Sequence, residues 1–409
     1  MAATMAKTKR LALVGNGMAG MRAIDELLKL DRDRFQIEVF GAEPHTNYNR
    51  IMLSSVLAKE KKVEDIVLHT REWHERNAVA LNTGDPVVAI DRAAKTIATA
   101  SGKTAGFDKL ILATGSRPLM PPLPGLDLPG VCAFRNIADL ERIEHASRTG
   151  YRAVIVGGGL LGLEAAYGLS RRGMRVTVLH LMDTLMERQL DKAAAILLRR
   201  DLEARGVEVI TRAQTEEIIG EHFVEGVRLA DGRELVADLV VFAIGVRPGV
   251  DLARAAGLEI NRGVVVDDLM MTSDPNIHAV GECVEHRGQT FGLVGPLWEQ
   301  ARVCAAALLG DEAVYVAPPV FTSLKIAGID VFSAGALEAR DTADDEITLR
   351  DAASNGYKKL VLRDGRLVGA ILYGDIADGP WLVDLMTTKR DVTPFRDTLI
   401  FGRALSRAA

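Results

Sequence analysis

Short apolar runs and amphipathic stretches follow one another along the chain in a repeated order. Lys9-Arg-Leu-Ala-Leu-Val-Gly15 is an apolar run that breaks into Gly15-Asn16-Gly17-Met18-Ala19-Gly20, and a helix-like stretch covers Met21 to Leu30. The same order returns at Arg152-Ala-Val-Ile-Val-Gly157, then Gly157-Gly-Gly159-Leu160-Leu-Gly162, then a helix-like Leu163 to Arg172. Gly15 and Gly157 stand 142 residues apart. A second apolar run follows each unit, Phe35 to Phe40 and Arg175 to Leu179, as a parallel strand–helix–strand arrangement requires. Asp108 to Pro118 and Asp238 to Pro248, 130 residues apart, repeat another pattern: an aspartate, an apolar strand, then A-x-G-x-R-P. Thr272 to Glu282 predicts a short strand ending in Gly281-Glu282. From about Val320 the pattern changes. Phe321 to Phe332 alternates polar and apolar, Tyr357 to Tyr373 predicts a hairpin turning at Asp364-Gly365, and an amphipathic tail follows.

These repeats predict an α/β chain of two Rossmann-like dinucleotide-binding domains followed by an α+β domain. The expected boundaries are 1–120 with 249–319 for the first, 121–248 for the second and 320–409 for the third. In each glycine motif the first glycine permits the tight turn, the second lets backbone N–H groups approach a pyrophosphate, and the third lets helix and strand pack closely. Glu43 lies 23 residues past Gly20, near the spacing expected of a carboxylate that accepts ribose hydroxyls. In the second unit the equivalent strand end is His180, which leaves NADH and NADPH both open.

Composition narrows the classes. At 409 residues the chain exceeds the ~250–300 at which one core stops growing. A net charge of −5 offers no general basic field for nucleic acid. No run approaches the ~20 apolar residues of a membrane span, and Met1 to Arg10 has no secretory-signal form, so a reduced cytoplasm is the expected location. Cys132, Cys283 and Cys304 form no C-x-x-C or C-x-x-x-x-C pair and too small a set for a four-thiolate cluster. They are expected to be inert core thiols. The histidines show no metal-ligand spacing, so no metal is expected.

With these motifs the chain resembles the two-dinucleotide flavoproteins, the glutathione-reductase-like FAD reductases that serve rubredoxin, ferredoxin and disulfide acceptors. The resemblance implies that the first motif binds FAD and the second NADH or NADPH. It places Ala113, Thr114, Gly115 and Arg117 beside the flavin, with Gly245 as their counterpart in the second domain, and Gly281-Glu282 at the ribityl chain. Gly41 to Ser55, Leu185-Met-Glu-Arg-Gln-Leu-Asp191, Gly281 to His286, Leu367 to Asp375 and Arg396 to Gly402 are similar in more detail to one branch. That branch comprises the flavin modules of assimilatory NAD(P)H nitrite reductase large subunits and nitrate reductase electron-transfer subunits. By the same resemblance Arg50 approaches FAD, Pro296-Leu297-Trp298 caps the flavin's pyrimidine side, and Glu164 is the catalytic carboxylate near the nicotinamide. The resemblance also implies that the third domain is an interface domain, which supports the flavin site and often a homodimer.

Departures from neighbouring branches sharpen the expectation. Where disulfide reductases carry their cysteine pair, this chain has Leu53-Ser54-Ser55, so no thiol stores electrons there. Ser55 also stands where rubredoxin-reductase-like members often have a lysine. The expected activity is hydride transfer from NAD(P)H to FAD, then electron delivery to a separate iron–sulfur or haem-type acceptor protein of nitrite or nitrate assimilation. The alternatives are a ferredoxin or rubredoxin reductase serving an oxygenase and, outside catalysis, a nucleotide-sensing flavoprotein dimer.

Overall fold

The computed structural model describes residues 8–319, 321–326 and 328–406; most of Met1 to Arg10, the segment expected to lack secretory-signal form, lies outside them. By internal contacts the chain forms two compact units. One comprises Met1–Met52, Lys62–Arg117 and Val246–Pro318, and the other Leu53–Lys61, Pro118–Gly245 and Pro319–Ala409.

In the first unit five parallel strands lie in the spatial order Ile277–Ala279, Lys109–Leu112, Lys9–Val14, Phe35–Gly41, Val79–Thr83. The first strand in sequence is therefore central, and the strand order reverses beside it, which is where an open parallel sheet leaves a crevice for ligand. Lys9–Val14 buries Leu11, Leu13 and Val14, and helix Met18–Leu30 lays Met21, Ala23, Ile24 and Leu27 on the same core. The 3.6-residue spacing of those apolar positions is why this stretch is helical and why one face is buried.

The second unit repeats the plan. Its parallel order is Val207–Thr211, Arg175–His180, Arg152–Val156, Leu239–Phe242, Val131–Ala133. Both motif helices start three residues earlier than the sequence pattern predicts, at Met18 and Leu160. Gly17 and Gly159 adopt extended backbone as the N-caps, so each helix begins inside its glycine motif rather than after it. Neither cap supplies a side-chain acceptor, which leaves the first-turn N–H groups available.

The C-terminal part of this unit is a five-stranded antiparallel sheet, in the order Phe321–Ile326, Ile329–Gly335, Arg366–Tyr373, Gly356–Arg363, Asp345–Asp351. The hairpin turns at Asp364 (φ 50°) and Gly365 (φ 69°), the pair of positive φ values that a two-residue type I′ turn needs. Helix Gly379–Thr388 covers the sheet through Leu382 and Leu385. Helix Lys192–Ala204 holds the sheet against the second nucleotide fold: Tyr373 donates to Asp201 Oδ2 at 2.6 Å, and Tyr357 donates at 2.6 Å to Asp191 Oδ2, the helix N-cap.

Candidate dinucleotide sites

The first glycine motif has the geometry of a phosphate cradle. Gly15 has φ 112°, and a Cβ there would collide with the Ala113 carbonyl oxygen. A Cβ on Gly20 would lie 2.7 Å from Gly15 O and 2.8 Å from the Ala113 methyl, so the helix approaches the strand only because both glycines lack side chains. Gly17 faces open space. Met18 and Ala19 form the first helical turn, and Ala19 packs beside Gly281 (φ 95°). Asn16 Oδ1 and Arg22 Nε are among the buried polar atoms of this unit that have no partner within the protein. A turn open at its middle glycine and an uncapped helix start with free N–H donors together fit a phosphorylated cofactor.

The other predicted residues of this unit fall into separate groups. Glu43 accepts from Arg50 Nη2 at 2.6 Å and from Tyr48 Oη at 2.7 Å. Burial opposes the Arg50 charge, but Tyr48, Glu43 and Glu282 raise its pKa overall. Thr114 Oγ1 donates to Gly249 O at 2.6 Å, and Gly115 (φ 66°) leaves open space where a side chain would stand. Ser116 Oγ donates to Glu282 Oε2 at 2.6 Å, and Gln300 Oε1 accepts from the Gly281 N–H at 2.8 Å. Arg117 is set apart, in an exposed ion pair with Asp251 at 2.5 Å. Pro296 and Leu297 are buried in the first turns of helix Val294–Leu309, and the Trp298 ring lies 5.3 Å beneath the Arg22 guanidinium.

Sequence reasoning missed a buried chain behind the first loop. Asn47 Nδ2 donates to Asn16 O at 3.0 Å, Asn47 Oδ1 meets His69 Nδ1 at 2.9 Å, and His69 Nε2 meets Asp25 at 3.0 Å. It ties the glycine turn to the helix that follows it. Only the buried setting of Asn47 and His69 marks them, and no local spacing does.

The second motif matches the first. A Cβ on Gly157 (φ 124°) would collide with Ala243 O, one on Gly162 would collide with Gly157 O, and Gly159 faces open space. Leu160 is the first helical residue, and Gly245 (φ 113°) leaves the end of the neighbouring strand open. His180 is buried at the end of its strand; its Nδ1 accepts the Gly158 N–H at 3.1 Å and its Nε2 meets Glu187 Oε2 at 3.1 Å.

Glu164 lies one turn into helix Leu160–Arg171. Burial pushes its carboxyl up to about 7, against a hydrogen bond with Ser54 that pulls it down. Ser54 belongs to the short helix Leu53–Leu57, which packs on the Glu164 helix where Gly168 leaves room: a Cβ there would be 2.7 Å from Leu57 Cγ. Arg172 Nε completes the attachment by donating to Leu57 O at 2.6 Å. A carboxyl near neutrality in a nucleotide site can hold or release a proton at physiological pH.

All three cysteines are buried, and burial raises Cys132 and Cys304 to about 12. Among the described residues no group of three or more His, Cys, Asp or Glu could hold a metal, and no helix is long and apolar enough to cross a membrane.

Comparison with known proteins identifies the family. Residues 9–306 match the pyridine nucleotide-disulphide oxidoreductase family, and residues 319–390 match the rubredoxin NAD+ reductase C-terminal domain. The chain is 47% identical over 386 residues to a Bacillus subtilis nitrite reductase [NAD(P)H], covering 94% of this chain and 48% of that protein. It is 44% identical over 397 residues to the assimilatory nitrate reductase electron transfer subunit of the same organism, covering 96% and 51%. The chain thus spans about half the length of these relatives. The crystal structure of a ferredoxin reductase for the CYP199A2 system from Rhodopseudomonas palustris superposes with a TM-score of 0.88 at 26% identity, covering 98% of this chain and 100% of that one.

Proposed function

Since the chain belongs to the pyridine nucleotide-disulphide oxidoreductase family, we propose that it moves electrons from NAD(P)H through FAD to a separate acceptor protein of nitrite or nitrate assimilation. The observation that carries this reading is the pair of matching cradles, each with colliding outer glycines, an open middle glycine and an uncapped helix start. When bound, the nicotinamide and flavin would supply hydride transfer and then stepwise electron release.

The chain's own residues bind and orient. Gly17 and Gly159 would give the pyrophosphates access to backbone N–H groups, Arg50 sets a positive charge beside Glu43, and Ser116 orients the Glu282 carboxylate. Glu164, titrating near neutrality beside Ser54, would hold or release a proton within the second site. Because all three thiols are buried, electrons would leave without a thiol relay, and an iron–sulfur or haem-type protein is the expected recipient. The same reading places the protein in the cytoplasm, where unpaired thiols stay reduced.

A second reading, ferredoxin or rubredoxin reductase, draws on the match of residues 319–390 and on a 33% identical ferredoxin–NAD(+) reductase subunit of a Pseudomonas putida benzene dioxygenase system. Ser55 in place of lysine argues against it. Anaerobic mixing of the FAD-loaded protein with NADH or NADPH tests both readings: the flavin band should bleach with at least one donor. No bleaching with either overturns them, and reoxidation by isolated carrier proteins separates them.

A further inference from the structure

We infer that Glu187, oriented by His180, selects NADH over NADPH by accepting the adenosine ribose hydroxyls at the second glycine motif. This rests on the proposed nucleotide role of that motif and adds the residue that discriminates.

The loop after strand Arg175–His180 is clasped to the motif from both sides. The Gly158 N–H donates to His180 Nδ1 at 3.1 Å, and the Met186 N–H donates to Gly158 O at 3.1 Å. Leu185 and Met186 are both 1% exposed, and Met186 has φ 52°, so the chain turns sharply there and delivers Glu187 beside the glycine turn. An N–H can only donate, so His180 Nδ1 is the acceptor and the ring proton sits on Nε2. That proton points at Glu187 Oε2, 3.1 Å away. Imidazole and carboxylate therefore stand in one fixed relation, with Glu187 as the acceptor.

The carboxylate is anchored but still accessible, with 34% of its side chain exposed. Among the described residues no lysine or arginine pairs with Glu187, while exposed Arg212 pairs with Asp183 at 3.7 Å. Negative charge thus remains where the adenosine half of a nucleotide leaves the pyrophosphate cradle. Glu187 lies 25 residues past Gly162, close to the 23 that separate Glu43 from Gly20. A carboxylate accepts two ribose hydroxyls and repels a 2′-phosphate, so the same atoms attract one nucleotide and reject the other.

The test uses calorimetric titration of the FAD-loaded protein with 5′-AMP and adenosine 2′,5′-bisphosphate, alongside KM for NADH and NADPH in flavin reduction. The unaltered protein should bind 5′-AMP more than about tenfold tighter than the bisphosphate, as loss of a charge-assisted hydrogen bond implies. Glu187→Gln should lower that ratio, and the ratio of the two KM values, about tenfold. His180→Phe should lower both, whereas His180→Gln, whose amide can accept from Gly158 and donate to Glu187, should keep them. Equal or tighter binding of the bisphosphate by the unaltered protein overturns the inference without any variant. Ratios that Glu187→Gln leaves unmoved do the same, even if the flavin bleaches. If neither nucleotide binds and neither donor bleaches the flavin, the proposed function falls with it.

Discussion

Replacing Glu164 by Gln should make the FAD-loaded, nucleotide-free protein more stable at high pH. The carboxyl has an ordinary value of 4.5 in the unfolded chain and about 7 in the folded one, because burial penalises its ionised form. Between those values the native state holds a proton that the unfolded state has released, so stability falls as pH rises and the penalty is complete above pH 7. Linkage over that interval gives a penalty of about 3 kcal/mol, of which about 2 kcal/mol develops between pH 5.5 and 8.5. Glutamine keeps an acceptor for Ser54 but carries no charge, so its stability lacks this slope. Urea unfolding of both proteins from pH 5.5 to 8.5 reads the difference directly. Glu164→Gln should gain about 2 kcal/mol on the unaltered protein across that range. A difference that stays flat, or that moves the other way, would refute the claim that Glu164 is neutral in part at pH 7.

Four further outcomes follow from the geometry. Gly159→Val should fold with normal FAD content, since φ is −84° and nothing stands within 4 Å, yet raise KM for NADH at least about tenfold by filling the cradle, as steady-state kinetics would report. Gly157→Ala, at φ 124° against Ala243, should instead cost more than about 1 kcal/mol of stability in thermal unfolding. Iodoacetamide at pH 8 should leave Cys132, Cys283 and Cys304 unlabelled in the folded protein and label all three in denaturant, which peptide mass mapping can score. Tyr373→Phe should cost about 1.5–3 kcal/mol in urea unfolding, by removing the bond to the Asp201 carboxylate that docks the antiparallel sheet.

The amino-acid sequence by itself determined the two nucleotide folds. Each motif is a local signal: an apolar run of strand length, glycines at fixed spacing and an amphipathic stretch of helical period, all within about 30 residues. The hairpin at Asp364-Gly365 was legible for the same reason, as a turn whose residue types accept positive φ. The edge strand Asp345–Asp351 was not, because its Asp-Glu-Ile-Thr-Leu-Arg-Asp run is largely exposed and carries little apolar signal. Only tertiary structure joined Ser54 to Glu164, Asp25 to His69 and Asn47, and Tyr373 to Asp201. Those partners lie far apart in sequence, so no spacing rule could pair them. His180 shows the division most clearly. Its position at a strand end was readable, but the loop that returns Glu187 to it is held by the Met186 N–H bond to Gly158 O, and its ring by the Gly158 N–H, bonds that exist only once the chain has folded.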